Sequence, residues 1–233
     1  DALFTMFINQ QYTLPVFDEK RFVGTVSISS YAKVLRDFSS RKTESIMVSE
    51  IMDEKSTVVL PTNDMKRVLD KLCEKGVYAI AVASGHDFMG IIRRQDLLKK
   101  FLPLIKGKFK VMDVMSYHIS TNSIHDTVES VAKKIIYGVE KRIIVMNHEK
   151  IEGMITIKDL ANVLLAEKAD LSKMSVMDIL TPNTQTVSKH DDAAKAGEIM
   201  LEWNTRGVPV VDQHLEGIVR DKDILQRLRL MHL

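Results

Sequence analysis

The sequence predicts an α+β fold built from four tandem repeats, each with the order strand, helix, strand, strand, helix. The first observation behind this prediction is a closing motif, in which a glycine is followed by two apolar residues and, six positions later, by an aspartate. Its glycines stand 63 and 64 residues apart, at Gly90, Gly153 and Gly217. A fixed period of this kind indicates tandem copies of one structural unit.

A second, independent motif has nearly the same period. This opening motif begins with a valine and ends in an apolar pair such as Ile-Met, and its copies start 63 and 65 residues apart, at Val48, Val111 and Val176. A fourth, weaker closing motif begins at Gly24, with Ser30 in place of the aspartate. We therefore expect repeats at 1–40, 41–104, 105–168 and 169–233. We expect the first repeat to have only its back half here, so that the sequence begins inside an element.

The second repeat shows the predicted elements most clearly. A β-branched run at 57–60 ends at Pro61, which is typical of a strand. Asn63 or Asp64 can cap a helix whose apolar stripe comprises Met65, Val68, Leu69 and Leu72 and which ends near Gly76. Two further strands at 79–83 and 89–92 flank a turn, and Asp96 begins a second helix. Because a unit of roughly 60 residues buries little surface alone, we expect the repeats to stack in pairs.

The composition narrows the classes of function. With 33 basic and 31 acidic residues the net charge is +2, so no bulk charge favours nucleic acid or a membrane surface. The basic stretch 99–108 is better explained as a solvated linker and domain boundary between the second and third repeats than as an RNA site. No apolar run approaches the roughly 18 residues of a membrane span. Cys73, the sole cysteine, permits no internal disulfide and suits the reducing cytosol.

The sequence carries no recognisable catalytic or metal-binding pattern. It has no phosphate loop, no glycine-rich dinucleotide turn and no nucleophile elbow, so we expect a protein that is not an enzyme. His118 and His125 have no acidic partner at ligand spacing. We therefore expect no metal site and no required cofactor.

These motifs resemble those of the CBS-domain family. The likeness rests on the Val-x-x-Ile-Met opening, the Val-Pro-Val-Val strand at 208–211, and the Gly-x-x-Thr-x-x-Asp close, which is complete at Gly153, Thr156 and Asp159. It covers essentially the whole chain, and a chain of four such motifs is similar to the gamma subunit of AMP-activated kinase and its stand-alone archaeal relatives. The resemblance implies two Bateman modules, each a pair of motifs, that bind AMP, ADP or ATP in clefts. Some members of the family bind S-adenosylmethionine instead.

Thr156 and Asp159 are the strongest candidates for ligand binding. A carboxylate at a strand-to-helix junction can accept hydrogen bonds from both hydroxyls of a ribose, beside free backbone N–H groups. Taken alone, Asp159 is better explained as a cap of the following helix, and the two roles are compatible. The resemblance implies phosphate contacts for Arg142 and then for Lys141 and Arg206. For each of these three a solvated side chain is the alternative.

The other repeats depart from the complete motif. Asp96 and Asp223 keep the aspartate, but Arg93 and Arg220 replace the threonine, which argues against ribose binding there. Arginine offers a planar fork of donors, so we expect Arg220 to serve a phosphate held mainly by the third repeat. For Arg93 and Arg220 alike, the alternative is a solvated surface side chain or an ion pair. The first repeat has no carboxylate and looks degenerate. We expect unequal sites, with the pair of third and fourth repeats binding best.

Two hypotheses about function follow. The first is a cytoplasmic regulatory protein that senses an adenine nucleotide, pairs with a second copy of itself through its CBS modules, and acts on an enzyme or a transporter. The second is an assembly module that has lost its ligand sites and retains only interaction surfaces. The closing motif of the third repeat favours the first hypothesis.

Overall fold

The fold is taken from a computed structural model, which describes residues 2–9, 11, 13–30, 46–53, 58–74, 77–138, 141–165 and 170–231. The α-helices are α1 (Ala2–Ile8), α2 (Val48–Ile51), α3 (Met65–Leu72), α4 (Arg94–Ile105), α5 (Val128–Tyr137), α6 (Ile157–Leu165), α7 (Ala193–Glu202) and α8 (Asp221–Arg229). The strands are β1 (Thr13–Asp18), β2 (Arg21–Ser27), β3 (Val58–Val59), β4 (Ala79–Ser84), β5 (Asp87–Arg93), β6 (Thr121–Ser123), β7 (Arg142–Asn147), β8 (Lys150–Thr156), β9 (Thr181–Pro182), β10 (Gly207–Val211) and β11 (Leu215–Arg220). The predicted α+β fold is confirmed. None of the helices in these ranges is long and apolar enough to cross a membrane.

The chain divides into two compact units that alternate along the sequence. Unit 1 comprises residues 1–56 and 120–183, and unit 2 comprises residues 57–119 and 184–233. Apart from the opening motifs, unit 1 therefore contains the first and third repeats and unit 2 contains the second and fourth. Each unit has its own hydrophobic core.

Unit 1 is built on two sheets and a core of aliphatic side chains. Strands β1 and β2 form an antiparallel hairpin, and β6, β7, β8 and β9 form a sheet in that order, with β6 parallel to β7. Helix α5 begins at Thr127, whose hydroxyl accepts the backbone N–H of Ser130. Its buried face, which includes Val131 and Ile135, packs in one cluster with Ile155 of β8.

Unit 2 has the sheets β3–β4–β5 and β10–β11, and its helices pack closely on one another. Helix α4 packs against α7 and α8, and α3 packs against α8. Asp64 caps the start of helix α3, since its carboxylate accepts a hydrogen bond from the backbone N–H of Arg67 at 2.8 Å. Val68, Leu69 and Leu72 of the predicted stripe are buried, whereas Met65, in the first turn, is exposed. Thr57 and Gly76, which the sequence placed at the ends of two elements, lie outside the described residues.

The prediction of a solvated linker at 99–108 is wrong for most of its length. Helix α4 continues through Pro103 to Ile105, and unit 2 extends without a break to Ile119. The basic side chains at 99 and 100 are exposed, but Leu98 and Ile105 are fully buried in the core of unit 2. Burial of one helical face therefore outweighs the polar composition of the other.

Each opening motif pairs with the closing strand of a different repeat. In unit 1, Asp53 after the second opening motif bridges to Thr25 of β2, and β9 after the fourth opening motif pairs with β8. In unit 2, Ser116 after the third opening motif bridges to Ile218 of β11. The third and fourth repeats thus exchange their opening motifs, so each of these motifs lies in the other unit than the rest of its repeat.

The repeated glycine of the closing motif permits this pairing. A Cβ atom on Gly153 would meet the carbonyl oxygen of Thr181 and would lie 2.7 Å from the side chain of Leu180. On Gly217 a Cβ atom would lie 2.8 Å from the carbonyl oxygen of Ser116. At Gly90, by contrast, no atom of the described residues lies within 4 Å of the added Cβ. The glycine is thus needed where an opening motif covers the closing strand.

This difference predicts unequal effects of alanine at the repeated glycines. Gly153→Ala should lower the free energy of unfolding by about 2 kcal/mol, because the added methyl group forces backbone or Leu180 to move. Gly90→Ala should change it by less than about 0.5 kcal/mol, because the space beside it is open. Urea unfolding of both variants measures the difference, and equal effects would contradict the close approach at Gly153.

Candidate functional site

The same side-chain hydrogen bond is present at the end of the closing strand in all four repeats. In each repeat the last residue of the closing strand donates its backbone N–H to the side chain three positions later. The donor–acceptor distances are 3.1 Å for Ser27 to Ser30, 2.8 Å for Arg93 to Asp96, 2.7 Å for Thr156 to Asp159 and 2.9 Å for Arg220 to Asp223. The structure therefore differs from the simple alternative in which Asp159 is the N-cap residue: Thr156 precedes the helix and accepts the N–H of Lys158, and Asp159 caps the helix as the acceptor that reaches back to the Thr156 N–H.

In the third repeat a hydroxyl group joins this cap. Thr156 is the last residue of β8, and Asp159 lies in the first turn of α6. The Thr156 N–H and hydroxyl both donate to Oδ2 of Asp159 at 2.7 Å, and Oγ1 of Thr156 accepts the N–H of Lys158 at 3.2 Å. Within the described part of the chain, Asp159 forms no ion pair. Its negative charge is met by hydroxyl and amide donors alone.

Thr181 is a further residue at this site, and the sequence analysis did not identify it. Its hydroxyl donates to Oδ1 of Asp159 over a longer distance of 3.4 Å. Strand β9 brings it there by pairing Thr181 with Met154 of β8. One signal could have revealed it, since a short polar residue follows the apolar pair of every opening motif: Asp53, Ser116 and Thr181.

Of the basic residues predicted near this site, Arg142 has the most favourable position. It is the first residue of β7 and pairs with Thr156 across the antiparallel strands, so the two side chains project from the same face of the sheet. Lys141 instead donates its ammonium to the carbonyl oxygens of Ile135 at 2.7 Å and Gly138 at 3.2 Å, where α5 ends. Lys141 thus caps the carbonyl groups at the C-terminal end of α5.

In the second and fourth repeats the arginine closes onto the motif aspartate. Arg93 donates through Nε and Nη2 to the two carboxylate oxygens of Asp96 at 3.1 and 2.8 Å. Arg220 does the same to Asp223 at 2.8 and 3.0 Å. Both arginines therefore form the ion pair that the sequence analysis gave as an alternative. The carboxylates of Asp96 and Asp223 are each paired with a guanidinium.

The two Arg–Asp pairs differ in burial, and their pKa values shift in opposite directions. Burial alone would raise the pKa of Asp96, but the hydrogen bonds from Arg93 outweigh it and the pKa is lowered. Burial of Asp223 is deeper, and it raises the pKa of that carboxyl in spite of the hydrogen bonds from Arg220. The same substitution of arginine for threonine thus has different electrostatic consequences in the two repeats.

The structure brings only some of the predicted site residues together. Thr156, Asp159 and Arg142 lie in unit 1, whereas the two Arg–Asp pairs and Arg206 belong to unit 2. The guanidinium of Arg206 stacks on the ring of Tyr78, 4.3 Å from its centroid. Phosphate contacts by Arg206 and Arg220 remain predictions, as does the preference for the third and fourth repeats. In unit 1 the Ser27 and Ser30 hydroxyls lie 3.2 Å apart, without a carboxylate.

Comparison with known protein families identifies the class of this protein. The CBS domain model matches residues 48–103, 111–166 and 176–230, which together make up more than half of the chain. The chain therefore belongs to the CBS-domain family. The match covers the second, third and fourth repeats.

The similar proteins include archaeal chains of related length. Protein MJ1225 of Methanocaldococcus jannaschii is 21% identical over 192 residues, which are 77% of this chain and 69% of that one. Its crystal structure, described as that of a proposed archaeal homologue of g-AMPK, has a TM-score of 0.86 and covers 97% of this chain and 91% of the other at 20% identity. This coverage extends to the first repeat. Three family matches and this coverage together support four CBS motifs arranged as Bateman modules.

Two further proteins are similar to part or most of this chain, one in sequence and one in structure. Protein MK0525 of Methanopyrus kandleri is 28% identical over 119 residues, which are 50% of this chain and 61% of that protein. A crystal structure of a conserved protein from Pyrococcus horikoshii has a TM-score of 0.69 and covers 93% of this chain and 91% of the other at 16% identity. At these identities the solved structures support the fold alone.

The contrasting pKa shifts give a direct test of the two Arg–Asp pairs. In a carboxyl NMR titration Asp96 should titrate below the ordinary range of an aspartate and Asp223 above it. Arg93→Ala should raise the pKa of Asp96, because it removes the donors that stabilise the carboxylate. Titration of both carboxyls in the same direction would contradict the geometry.

The two carboxyls also affect stability in opposite senses. The lowered pKa of Asp96 means that its stabilising contribution is present above the pKa of the unfolded chain and is lost as the pH falls through the folded value. The raised pKa of Asp223 means that its contribution is present below the unfolded pKa and is lost as the pH rises through the folded value.

Proposed function

We propose that this chain is a regulatory, ligand-sensing protein, without catalytic activity of its own, that binds an adenine nucleotide at Thr156 and Asp159. AMP is the first candidate, followed by ADP and ATP. The observation that carries the proposal is that Asp159, alone among the three motif aspartates, has no guanidinium bound to it within the described residues.

The chemistry of this carboxylate suits a ribose. Each carboxylate oxygen can accept two hydrogen bonds, and Oδ1 of Asp159 accepts only the long bond from Thr181. One ribose hydroxyl can therefore donate to Oδ1 of Asp159 while the cap on Oδ2 stays in place, and an adjacent hydroxyl can do so when it displaces the long bond from Thr181. Arg142, on the same face as Thr156, is the candidate for a phosphate group of the same nucleotide.

The Arg–Asp pairs support a lower affinity for ribose in the second and fourth repeats. A ribose that approached Asp96 or Asp223 would have to displace a bidentate guanidinium, which is a charged donor with two parallel hydrogen bonds, whereas a ribose hydroxyl is a neutral donor. Asp223 is also 9% exposed as a residue, so a ligand reaches its carboxylate less easily. We therefore propose one principal ribose site, in the third repeat.

Ligand binding would act by stabilising one conformation of the module over another and so changing its contacts with a regulated enzyme or transporter. The description of MJ1225 as a proposed homologue of g-AMPK agrees with nucleotide sensing. The competing function is a ligand-free assembly module. It is favoured by the cap, which is present in all four repeats whether or not a carboxylate is available.

The first test is calorimetric titration of the purified chain with AMP, ADP, ATP and S-adenosylmethionine. We expect binding of at least one adenine nucleotide, and a ligand at about 100 times its Kd should stabilise the fold by about 2.7 kcal/mol in a thermal melt. If S-adenosylmethionine binds and none of the three nucleotides does, the sensed ligand is S-adenosylmethionine and not a nucleotide. If none of the four binds and the melt is unmoved, the assembly module is the correct function.

The second test separates the capping role of Asp159 from its ligand role. The amide oxygen of asparagine can accept the same hydrogen bonds from Thr156 as Oδ2 of Asp159, so Asp159→Asn should change the free energy of unfolding by less than about 0.5 kcal/mol. It removes the charge that receives the ribose hydroxyls, so the affinity should fall about 10- to 100-fold.

The matched control is Asp178→Asn, because Asp178 caps a neighbouring turn of unit 1 by accepting the Ser175 N–H at 2.9 Å. Neither this variant nor Ser30→Ala should change the affinity of the principal site. If Asp159→Asn binds nucleotide as tightly as the unmodified chain, Asp159 is a cap only.

A further inference from the structure

One position of the closing motif differs between the two units in a systematic way. It lies four residues after the glycine, at the start of the second helix, and is occupied by Ile28, Arg94, Ile157 and Asp221 in the four repeats. In the second, third and fourth repeats the backbone N–H of this residue donates to the carbonyl oxygen of the residue just before β4, β7 or β10. The acceptors belong to Tyr78 at 3.2 Å, Lys141 at 3.3 Å and Arg206 at 3.2 Å. The position is therefore structurally equivalent in these repeats.

In unit 2 the two equivalent residues form a buried ion pair. Nη1 of Arg94 lies 3.5 Å from Oδ1 of Asp221, and the two side chains are 5% and 3% exposed. Tyr78 and Arg206, which stand just before the hairpin strands of the two repeats, also contact each other, since Arg206 stacks on Tyr78. The second and fourth repeats thus face each other through equivalent residues, as in a two-fold symmetric contact.

The surroundings of this ion pair are only partly polar. Nε of Arg94 donates to the carbonyl oxygen of Leu72 at 2.8 Å, and the guanidinium lies 5.0 Å from the centroid of the Tyr78 ring. Oδ1 of Asp221 accepts the N–H of Lys222 at 2.6 Å, but its Oδ2 has no hydrogen-bond partner among the described residues. A buried pair with an incomplete set of hydrogen bonds contributes little net stability.

In unit 1 the equivalent residues are both apolar. Ile28 and Ile157 are 1% and 3% exposed and belong to the same hydrophobic cluster. At this equivalent position, unit 1 therefore buries two isoleucines, whereas unit 2 buries an acid and a base. Isoleucines in unit 1 show that the fold at this position does not require charge.

We propose that the Arg94–Asp221 pair determines which repeats pack together. Because equivalent residues face each other, two copies of the second repeat would place Arg94 against Arg94, and two copies of the fourth would place Asp221 against Asp221. Packing of either repeat on the first or third would bury one of these charges against isoleucine, at a cost of several kcal/mol. Only the second repeat with the fourth gives a complementary pair, so specificity comes from penalties on the wrong partners.

The energetic part of the proposal is tested by a double-mutant cycle on the full chain. Trp203, the sole tryptophan, lies in unit 2, so its fluorescence follows the unfolding of that unit in urea. Arg94→Ile and Asp221→Ile should each lower the midpoint by about 1 to 2 M, because each leaves a buried charge without its partner. The double variant should return to the original midpoint or exceed it. A double variant whose midpoint falls by the sum of the two single shifts would overturn the coupling.

The specificity part needs a measurement of wrong pairing. Glu74→Cys places an exposed thiol beside Arg94, since the Glu74 carbonyl accepts from Nη2 of that arginine at 3.4 Å. In a Cys73→Ala background, chains refolded at high concentration are treated with a flexible bismaleimide, which joins two chains when two copies of the second repeat meet. The double isoleucine variant, Arg94→Ile with Asp221→Ile, should give several-fold more joined chains than the original pair.

The charge-reversed variant, Arg94→Asp with Asp221→Arg, should stay at the original level, because complementarity is kept. A thiol introduced by Glu129→Cys in unit 1, where the glutamate side chain is 45% exposed, is the matched control and should give equal joining in all three backgrounds. If the double isoleucine variant joins no more chains than the original pair, or if the charge-reversed variant joins as many as the isoleucine one, the pair does not determine packing.

Discussion

The last residue of each closing strand has a backbone N–H that needs a partner at the point where the strand ends, and this constraint governs every repeat of the chain. The side chain three positions beyond the strand meets it in all four cases, as Asp159 does for Thr156. Once that side chain is fixed by the backbone, its neighbours are fixed too. The last strand residue faces the candidate ligand, and the first helix residue faces the partner repeat.

Variation at this junction gives the repeats separate duties without a change of fold. A threonine at the end of the strand leaves the motif carboxylate with neutral donors, whereas an arginine, such as Arg220, closes onto it. One position later, isoleucine or a charged residue decides how the helices of the unit meet. The proposed ligand contact and the proposed choice of partner repeat thus lie on adjacent residues of one turn, and each can change while the cap is kept.

The repeat period and most elements could be predicted from the sequence, because they depend on local patterns. The strand at 208–211 and the start of α6 near Asp159 are examples. The alternation of repeats between the units could not be predicted, since any pairing of equal repeats has the same period. The helical course of 99–105 was missed because its burial depends on α7 and α8, about a hundred residues further along the chain. Strand β9 has two residues, too few for a periodic signal.

The alternation also sets an order of events during synthesis. Unit 1 cannot close until residues up to 183 have left the ribosome, and by then the first part of unit 2, residues 57–119, has long emerged. The apolar face of α3 and α4 therefore stays uncovered until residues 184–233 have been synthesised. A nascent chain in this state exposes Val68, Leu69 and Leu98 to its neighbours, so the interval before residues 184–233 have emerged is when aggregation competes most strongly with folding.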